Sequence, residues 1–178
     1  MPFILAYGSL ARAAGAALPC RLLDHRRGFG VAMDNRRTIP GYKVYLDPLT
    51  GEQPPVYVAF LDIRPQPRAR VNGLAFGVDP GQLPELDRRE RQYERRDVTA
   101  LVDADLDGTV WAYVGRPEAR RRYEAGRADG TTVVAGSYHR GVREGFRALG
   151  LLEAFERTTD PPEVPERELQ RIDLPTRA

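Results

Sequence analysis

Two short stretches hold the side chains with the most evident chemical use. The first is Tyr7-Gly8-Ser9-Leu10, which ends the apolar run Phe3-Ile4-Leu5-Ala6. Glycine opens backbone angles closed to other residues and lets a ligand approach the main chain. If a helix starts near Leu10, the amides of Ser9, Leu10 and Ala11 point into one concavity that attracts carboxylate or phosphate. The plain reading is a tight strand-to-helix turn with no ligand. The second stretch runs from Leu83 to Tyr93. At helical spacing Leu83, Leu86, Glu90 and Tyr93 share one face, so a carboxylate falls where the core should lie. An unpartnered carboxylate there is costly, or its pKa rises. Glu90 is therefore either an edge carboxylate paired with an arginine or a general acid/base in a pocket.

Other chemistry is less well supported. Ser9 could act as a nucleophile with His25 or His139 as base, but no GxSxG elbow is present. Cys20 follows Pro19 in an apolar stretch and reads as a packed thiol. With one cysteine and two histidines the chain has neither a disulfide pair nor zinc-ligand spacing. The segment Arg116–Arg127 mixes arginine with Tyr123 as RNA-binding surfaces do. Against a balance of 27 basic and 25 acidic residues it reads better as a solvated face. No nucleic-acid partner is expected.

These residues need a framework. The sequence predicts strands at 2–7, 28–33, 42–46, 56–62, 71–78, 97–103 and 109–114 from β-branched and aromatic enrichment between turn signals. In 71–78, Leu74, Phe76 and Val78 share a face; in 109–114, Val110, Ala112 and Val114 oppose Trp111 and Tyr113. Helices are predicted at 10–18, at 80–93 after an Asp79-Pro80 start with Gln82 completing a capping box, and at 138–149 before Gly150. Residues 116–130 read as a polar surface segment with some helical character. Residues 159–178, rich in proline and charge, read as an extended C-terminal extension on a domain spanning 1–158. Strands and helices without strict βαβ alternation predict an α+β domain with a mixed sheet tending toward a barrel.

Composition sets the outer bounds. The 178 residues, 42% of them hydrophobic, suit one domain with a substantial core. A net charge of +2 names no polyanionic partner. No apolar run approaches the roughly 20 residues of a membrane span, and the N-terminus lacks a secretory pattern. A cytoplasmic protein without a membrane partner is expected. Oligomeric state is not readable.

The two motifs together resemble the γ-glutamylcyclotransferase superfamily, including its AIG2-like and glutathione-specific branches. The matching residues are Tyr7-Gly8-Ser9-Leu10 after the first strand, and Leu86-Asp87-Arg88-Arg89-Glu90 after the strand containing Val71–Val78. The segments around Trp111 and Tyr138 also look like later elements of the family, so the resemblance spans roughly residues 3–150. Two positions depart: Arg91 stands where members often have glycine, and Tyr93 follows the glutamate more closely than usual. The resemblance implies a small barrel-like mixed sheet flanked by helices. It also implies cyclisation of a γ-glutamyl group to 5-oxoproline with release of an amine, amino acid or peptide. Glu90 would be the general acid/base and Tyr7, Gly8, Ser9 and Leu10 the substrate loop, with Tyr113 and Tyr138 as further lining residues. Neither metal nor cofactor is needed. The alternative is a non-catalytic ligand-binding or interaction module on the same fold.

Overall fold

After a short strand β1 (Phe3–Ala6), the chain enters two long antiparallel strands, β2 (Ala17–Asp34) and β4 (Tyr57–Gly77), separated by β3 (Lys43–Leu46). The computed structural model describes residues 1–12 and 15–176. The expected strands 56–62 and 71–78 are the two buried ends of β4. Between them the polar run Arg64–Arg70, with its two prolines, remains extended as an exposed, bulged stretch. There the register with β2 shifts between Leu23 and His25, and Asp24 and Arg68 take φ of 53° and 66°. The Arg68 amide donates to Asp24 Oδ1 at 2.7 Å, so the extra residues are held in a β-bulge.

The remaining strands build outward from β4. β1 runs antiparallel to its C-terminal part and parallel to β6 (Val110–Gly115); β5 (Tyr93–Asp97) pairs antiparallel with β6. The N-terminal part of β4 carries β7 (Thr132–Ala135) in parallel, and β8 (Glu166–Arg167) follows β7. The order is β5-β6-β1-β4-β7-β8, with β2 along β4. β7 reaches Ala59 and β1 starts at Leu74, so β4 passes Leu61 between two neighbours that do not meet. A second sheet joins β3 to β9 (Gln170–Asp173).

Helices cover this framework. α1 (Leu83–Arg89) is shorter than the predicted 80–93. A 3-10 turn, Pro80–Gln82, precedes it with the expected capping box of Asp79 and Gln82. The helix ends before Glu90, and Tyr93 starts β5, because pairing with β6 from Tyr93 to Asp97 takes the chain out of the helical path. The predicted strand 97–103 is likewise displaced: β5 ends at Asp97, and Thr99–Leu101 form a 3-10 turn. Residues 116–130 form a full helix, α2 (Pro117–Asp129), with Pro117 at its start and Gly130 at φ 76° after its end. It buries Ala119, Tyr123 and Gly126. α3 (Gly136–Ala148) matches the predicted 138–149 closely. α4 (Leu152–Arg157), not foreseen, stacks Phe155 on Phe146 at 4.6 Å between ring centroids. The predicted helix 10–18 is a correction: Ser9–Arg12 form one 3-10 turn and β2 has begun by Ala17, while residues 13 and 14 lie outside the described residues.

The Pro- and charge-rich stretch after Thr158 runs back across the body. Val164 and Leu169 are buried, and β9 lays Arg171 and Asp173 beside β3. No described helix is long and apolar enough to cross a membrane.

Candidate active site

The residues of the two motifs and the two further tyrosines line one recess. Tyr7, Gly8, Ser9, Leu10, Glu90, Tyr113 and Tyr138 surround a space of about 30 Å³, joined by Leu5, Leu61 and Tyr93. That is room for one water-sized group. Ser9, Glu90, Tyr93 and Tyr138 also line a larger outer cavity of about 690 Å³, edged by α1, β3 and the chain following β9. The carboxylate of Glu90 thus stands at the junction of a narrow throat and a wide mouth.

The loop owes its position to groups far away in sequence. Tyr7 is buried and its hydroxyl donates to the carbonyl of Tyr113. Its own carbonyl accepts from Arg27 Nη1 at 2.9 Å. Arg27 is a fully buried cation on β2 with no carboxylate partner among the described residues. It donates instead to the carbonyls of Asn72 and Phe155, the Asn72 side-chain oxygen and the hydroxyls of Thr158 and Thr159, at 2.7–3.0 Å. Its guanidinium lies 4.1 Å from the Phe155 ring centroid, a cation–π contact. Burial disfavours this charge, and the acceptors compensate. A single side chain therefore ties the substrate-loop candidate to β4 and the end of α4. No sequence signal marks it, since an arginine within a strand reads as a solvated charge.

Gly8 differs from expectation in one respect. Its φ is not in the left-handed region, and a Cβ there would meet Tyr138 Oη at 3.7 Å and Leu61 at 3.8 Å, ordinary contacts. Neither backbone angle nor packing demands glycine, which leaves approach from the recess as its distinctive property. The amides of Gly8 and Ser9 have no hydrogen-bond partner among the described residues. The Ala11 amide is not part of a donor array, because it donates to the Gly8 carbonyl at 3.1 Å.

Glu90 caps the C-terminal end of α1, where its amide donates to the Leu86 carbonyl at 2.8 Å. Its side chain is 15% exposed and its one ion pair among the described residues is long: 3.9 Å to Nε of Arg89, itself half exposed. Such a pair contributes little. The carboxylate accepts no hydrogen bond from the described residues. Burial raises its pKa above the ordinary glutamate value, and the charges of Lys43, Arg89 and Arg171 oppose the rise. A carboxyl group displaced toward neutrality, open to a cavity and loosely held, can accept a proton and return it.

The tyrosines divide by where their hydroxyls go. Tyr93, which sequence reading placed only on a helix face, donates to the Leu61 carbonyl at 2.7 Å. Tyr138 accepts from the Leu61 amide at 3.3 Å, and its own proton has no acceptor among the described residues. Both exploit the gap beside Leu61, where β4 has main-chain groups that neither β1 nor β7 pairs. Tyr113 lines the recess with its ring, but its hydroxyl donates to Asp87 Oδ1 at 2.9 Å, and Asp87 is also held by Arg95. Burial raises the pKa of Tyr7, Tyr93 and Tyr138, so all are neutral near pH 7.

The rival nucleophiles lie elsewhere. Burial pushes the Cys20 thiol up to about 11. His25 meets the Leu23 carbonyl and His139 pairs with Glu166, each at 2.9 Å; neither lines the recess beside Ser9. Among the described residues no three His, Cys, Asp or Glu side chains converge as metal ligands. In the arginine-rich segment, Arg120 meets buried Asp62 at 2.7 Å, and Arg121 and Arg127 pair with Glu118 and Glu124.

The family model described as "Gamma-glutamyl cyclotransferase, AIG2-like" matches residues 4–132. No curated protein matches the chain in sequence. A solved γ-glutamyl cyclotransferase superposes with a TM-score of 0.52 at 16% identity, over 88% of this chain and 85% of the other. An uncharacterized protein from Homo sapiens superposes with a TM-score of 0.53 at 18% identity, over 88% and 85%. YkqA from Bacillus subtilis superposes with a TM-score of 0.53 at 12% identity, over 87% of this chain and 52% of the longer one. At these identities the likeness carries the fold, an α+β domain with a central mixed sheet.

Proposed function

The chain belongs to the gamma-glutamyl cyclotransferase, AIG2-like family, and we propose that it cyclises a γ-glutamyl group to 5-oxoproline with Glu90 as the proton-transfer group. The observation that carries this reading is the meeting, in one recess, of a buried, weakly paired carboxylate with the unpartnered amides of Gly8 and Ser9.

The substrate brings its own nucleophile. Its α-amine attacks the γ-carbonyl carbon, a five-membered ring closes, and the scissile C–N bond breaks to free the amine. Because attack is intramolecular, the protein's first task is to hold the folded conformer. The narrow recess admits one oxygen-bearing head group, carboxylate or carbonyl, against the Gly8 and Ser9 amides. The rest of the substrate extends into the outer cavity, whose volume suits a dipeptide-sized molecule. Glu90, as carboxylate, takes the proton that the attacking nitrogen loses and delivers it to the departing nitrogen. Tyr138 is held by the Leu61 amide with its own proton free, so it can donate to oxygen charge that develops on the carbonyl.

Glu90→Gln tests the reading. 5-Oxoproline formation should fall roughly 10²–10⁴-fold, while a γ-glutamyl ligand still binds by calorimetry and the thermal melt stays near wild type. A folded Glu90→Gln protein with near wild-type turnover would falsify the assignment.

A further inference from the structure

We propose that Lys43 is a second proton-transfer group of the site: its ammonium gives a proton to the departing nitrogen, and Glu90 returns one to the Lys43 amine. This rests on the cyclisation reading above and concerns the second half of that reaction.

Lys43 and Glu90 line the same outer cavity, although one opens β3 and the other follows α1. Among nearby charges Lys43 acts most strongly on the Glu90 carboxylate, yet the two form no ion pair within 4 Å. One nitrogen hydrogen-bonded to both would bridge a gap of up to about 6 Å. The ammonium has no other polar commitment. It lies 4.4 Å from the Phe60 ring centroid and 5.3 Å from that of Tyr42. Among the described residues it meets no carboxylate within 4 Å and donates no hydrogen bond; Asp173, across the β3–β9 pair, is bound by Arg171 instead.

The neighbouring donors do not release a proton near neutral pH. The arginines of this cavity stay charged, and burial keeps Tyr42, Tyr93 and Tyr138 protonated. Lys43 differs: burial first, then Arg171, lower its ammonium to about 8. Arg89 acts in the same direction, while Glu90 and Asp173 oppose. The other groups around it are Arg91, which shares the Tyr42 ring at 5.5 Å, and Tyr138, whose ring packs on Phe60 at 5.0 Å. An ordinary lysine, at about 10.4, would hold its proton more tightly. One near 8 gives it up readily to an alkylamine nitrogen.

The protons balance. As the ring C–N bond forms, the Glu90 carboxylate takes the proton that the attacking nitrogen loses. The scissile C–N bond then breaks, its electron pair stays on the departing nitrogen, and the Lys43 ammonium protonates that nitrogen. Protonated Glu90 passes its proton to the neutral Lys43 amine, which restores both groups. Delivery from Glu90 to the departing nitrogen thus runs through Lys43.

Lys43→Arg separates the charge from the proton, because it keeps a cation that cannot act as an acid. Two substrates are compared. The departing nitrogen of γ-glutamylethylamide is strongly basic and needs a proton; that of γ-glutamyl-p-nitroanilide is weakly basic and leaves with little help. In Lys43→Arg, kcat for the ethylamide should fall roughly tenfold, less than for a sole acid because protonated Glu90 can still deliver directly. The kcat for the p-nitroanilide should stay within about twofold of wild type. Wild-type kcat/KM for the ethylamide should fall above about pH 8 as Lys43 loses its proton, and in Lys43→Arg that fall should vanish. Lys43→Met should show the same contrast between substrates, so the test does not depend on arginine fitting the cavity wall; melting curves accompany both variants. Near wild-type turnover of the ethylamide, an equal loss on both substrates, or an alkaline fall that persists in Lys43→Arg overturns the proposal and leaves cyclisation standing. A wild-type protein that forms no 5-oxoproline from either compound overturns the cyclisation reading, and this proposal with it.

Discussion

Below Glu90, the recess is walled by tyrosines whose hydroxyls are tied to main-chain or buried groups: Tyr7 to Tyr113, Tyr93 to Leu61, Tyr138 to Leu61. Above it, the outer cavity is edged by long cationic side chains from α1, β3 and β9. The lower region is neutral, narrow and fixed by contacts across the sheet. The upper is wide, charged and built from shorter elements at its margin. Burial alone would leave Glu90 protonated over more of the pH range, and a charged rim alone would make it an ordinary ion pair. Placed between them, its pKa is raised by one region and restrained by the other. The fixed region is suited to the reacting centre, which needs geometry. The charged region acts on the Glu90 carboxylate through space, which needs only charge at the right distance.

If the tyrosine-walled recess does the chemistry, Tyr138→Phe should have the larger effect among substitutions around Glu90 itself. It removes one proton donor and a weak acceptor at 3.3 Å while keeping the ring packed on Phe60 at 5.0 Å. The kcat should fall by roughly 10–100-fold with little change in KM, the signature of a group that acts on charge developing in the transition state. An equal rise in KM with kcat intact would place the hydroxyl in substrate binding and blur the distinction between the regions.

The restraint exerted from above can be read as a pH shift. Activity should rise with pH as Glu90 becomes a carboxylate. Lys43, charged below about pH 8, lowers the Glu90 pKa together with Arg89 and Arg171. Lys43→Met removes that cation, so the carboxylate is less favoured and the acid limb of kcat/KM should move to higher pH. γ-Glutamylethylamide is the substrate to use, because its leaving group carries no carboxylate of its own to interact with the cations around Glu90. A limb that stays in place, or moves to lower pH, would show that the two regions are electrically independent.

The same division explains what the sequence could and could not reveal. Tyr7-Gly8-Ser9-Leu10 is local, and Glu90 stands out because a carboxylate interrupts the apolar stripe of Leu83, Leu86 and Tyr93. Both signals survive even though α1 ends at Arg89 and Tyr93 belongs to a strand. Burial of the stripe was legible, but the pairing of β5 with β6 that ends the helix was not. Lys43 and Arg171 carry no signal, since they meet only through pairing of β3 with a strand more than a hundred positions later. Arg27 is equally silent: its acceptors come from Tyr7, Asn72 and residues 155–159. The 21 residues of β4 were read as two strands because proline and arginine dominate its exposed middle, and propensity cannot anticipate a bulge stabilised by its partner.

The smallest expected effect concerns Tyr113, and it tests the direction of a hydroxyl rather than the presence of a ring. Tyr113 and Tyr138 both line the recess, and composition alone would treat them alike. The Tyr113 hydroxyl is already committed to Asp87, and Asp87 retains Arg95 at 3.1 Å when that hydrogen bond is removed. Tyr113→Phe keeps the ring, and with it the wall of the recess. The Tyr113 carbonyl that receives the Tyr7 hydroxyl is main chain and survives the substitution. The stability cost should be about 1 kcal/mol, that of one partly exposed hydrogen bond, and kcat should fall less than about threefold. The check is turnover of Tyr113→Phe and Tyr138→Phe side by side, with melting curves for both. A loss in Tyr113→Phe as large as in Tyr138→Phe would mean that its hydroxyl leaves Asp87 for the substrate. Asp87 and Arg95 would then be part of the reacting region, and the boundary drawn at Glu90 would lie in the wrong place.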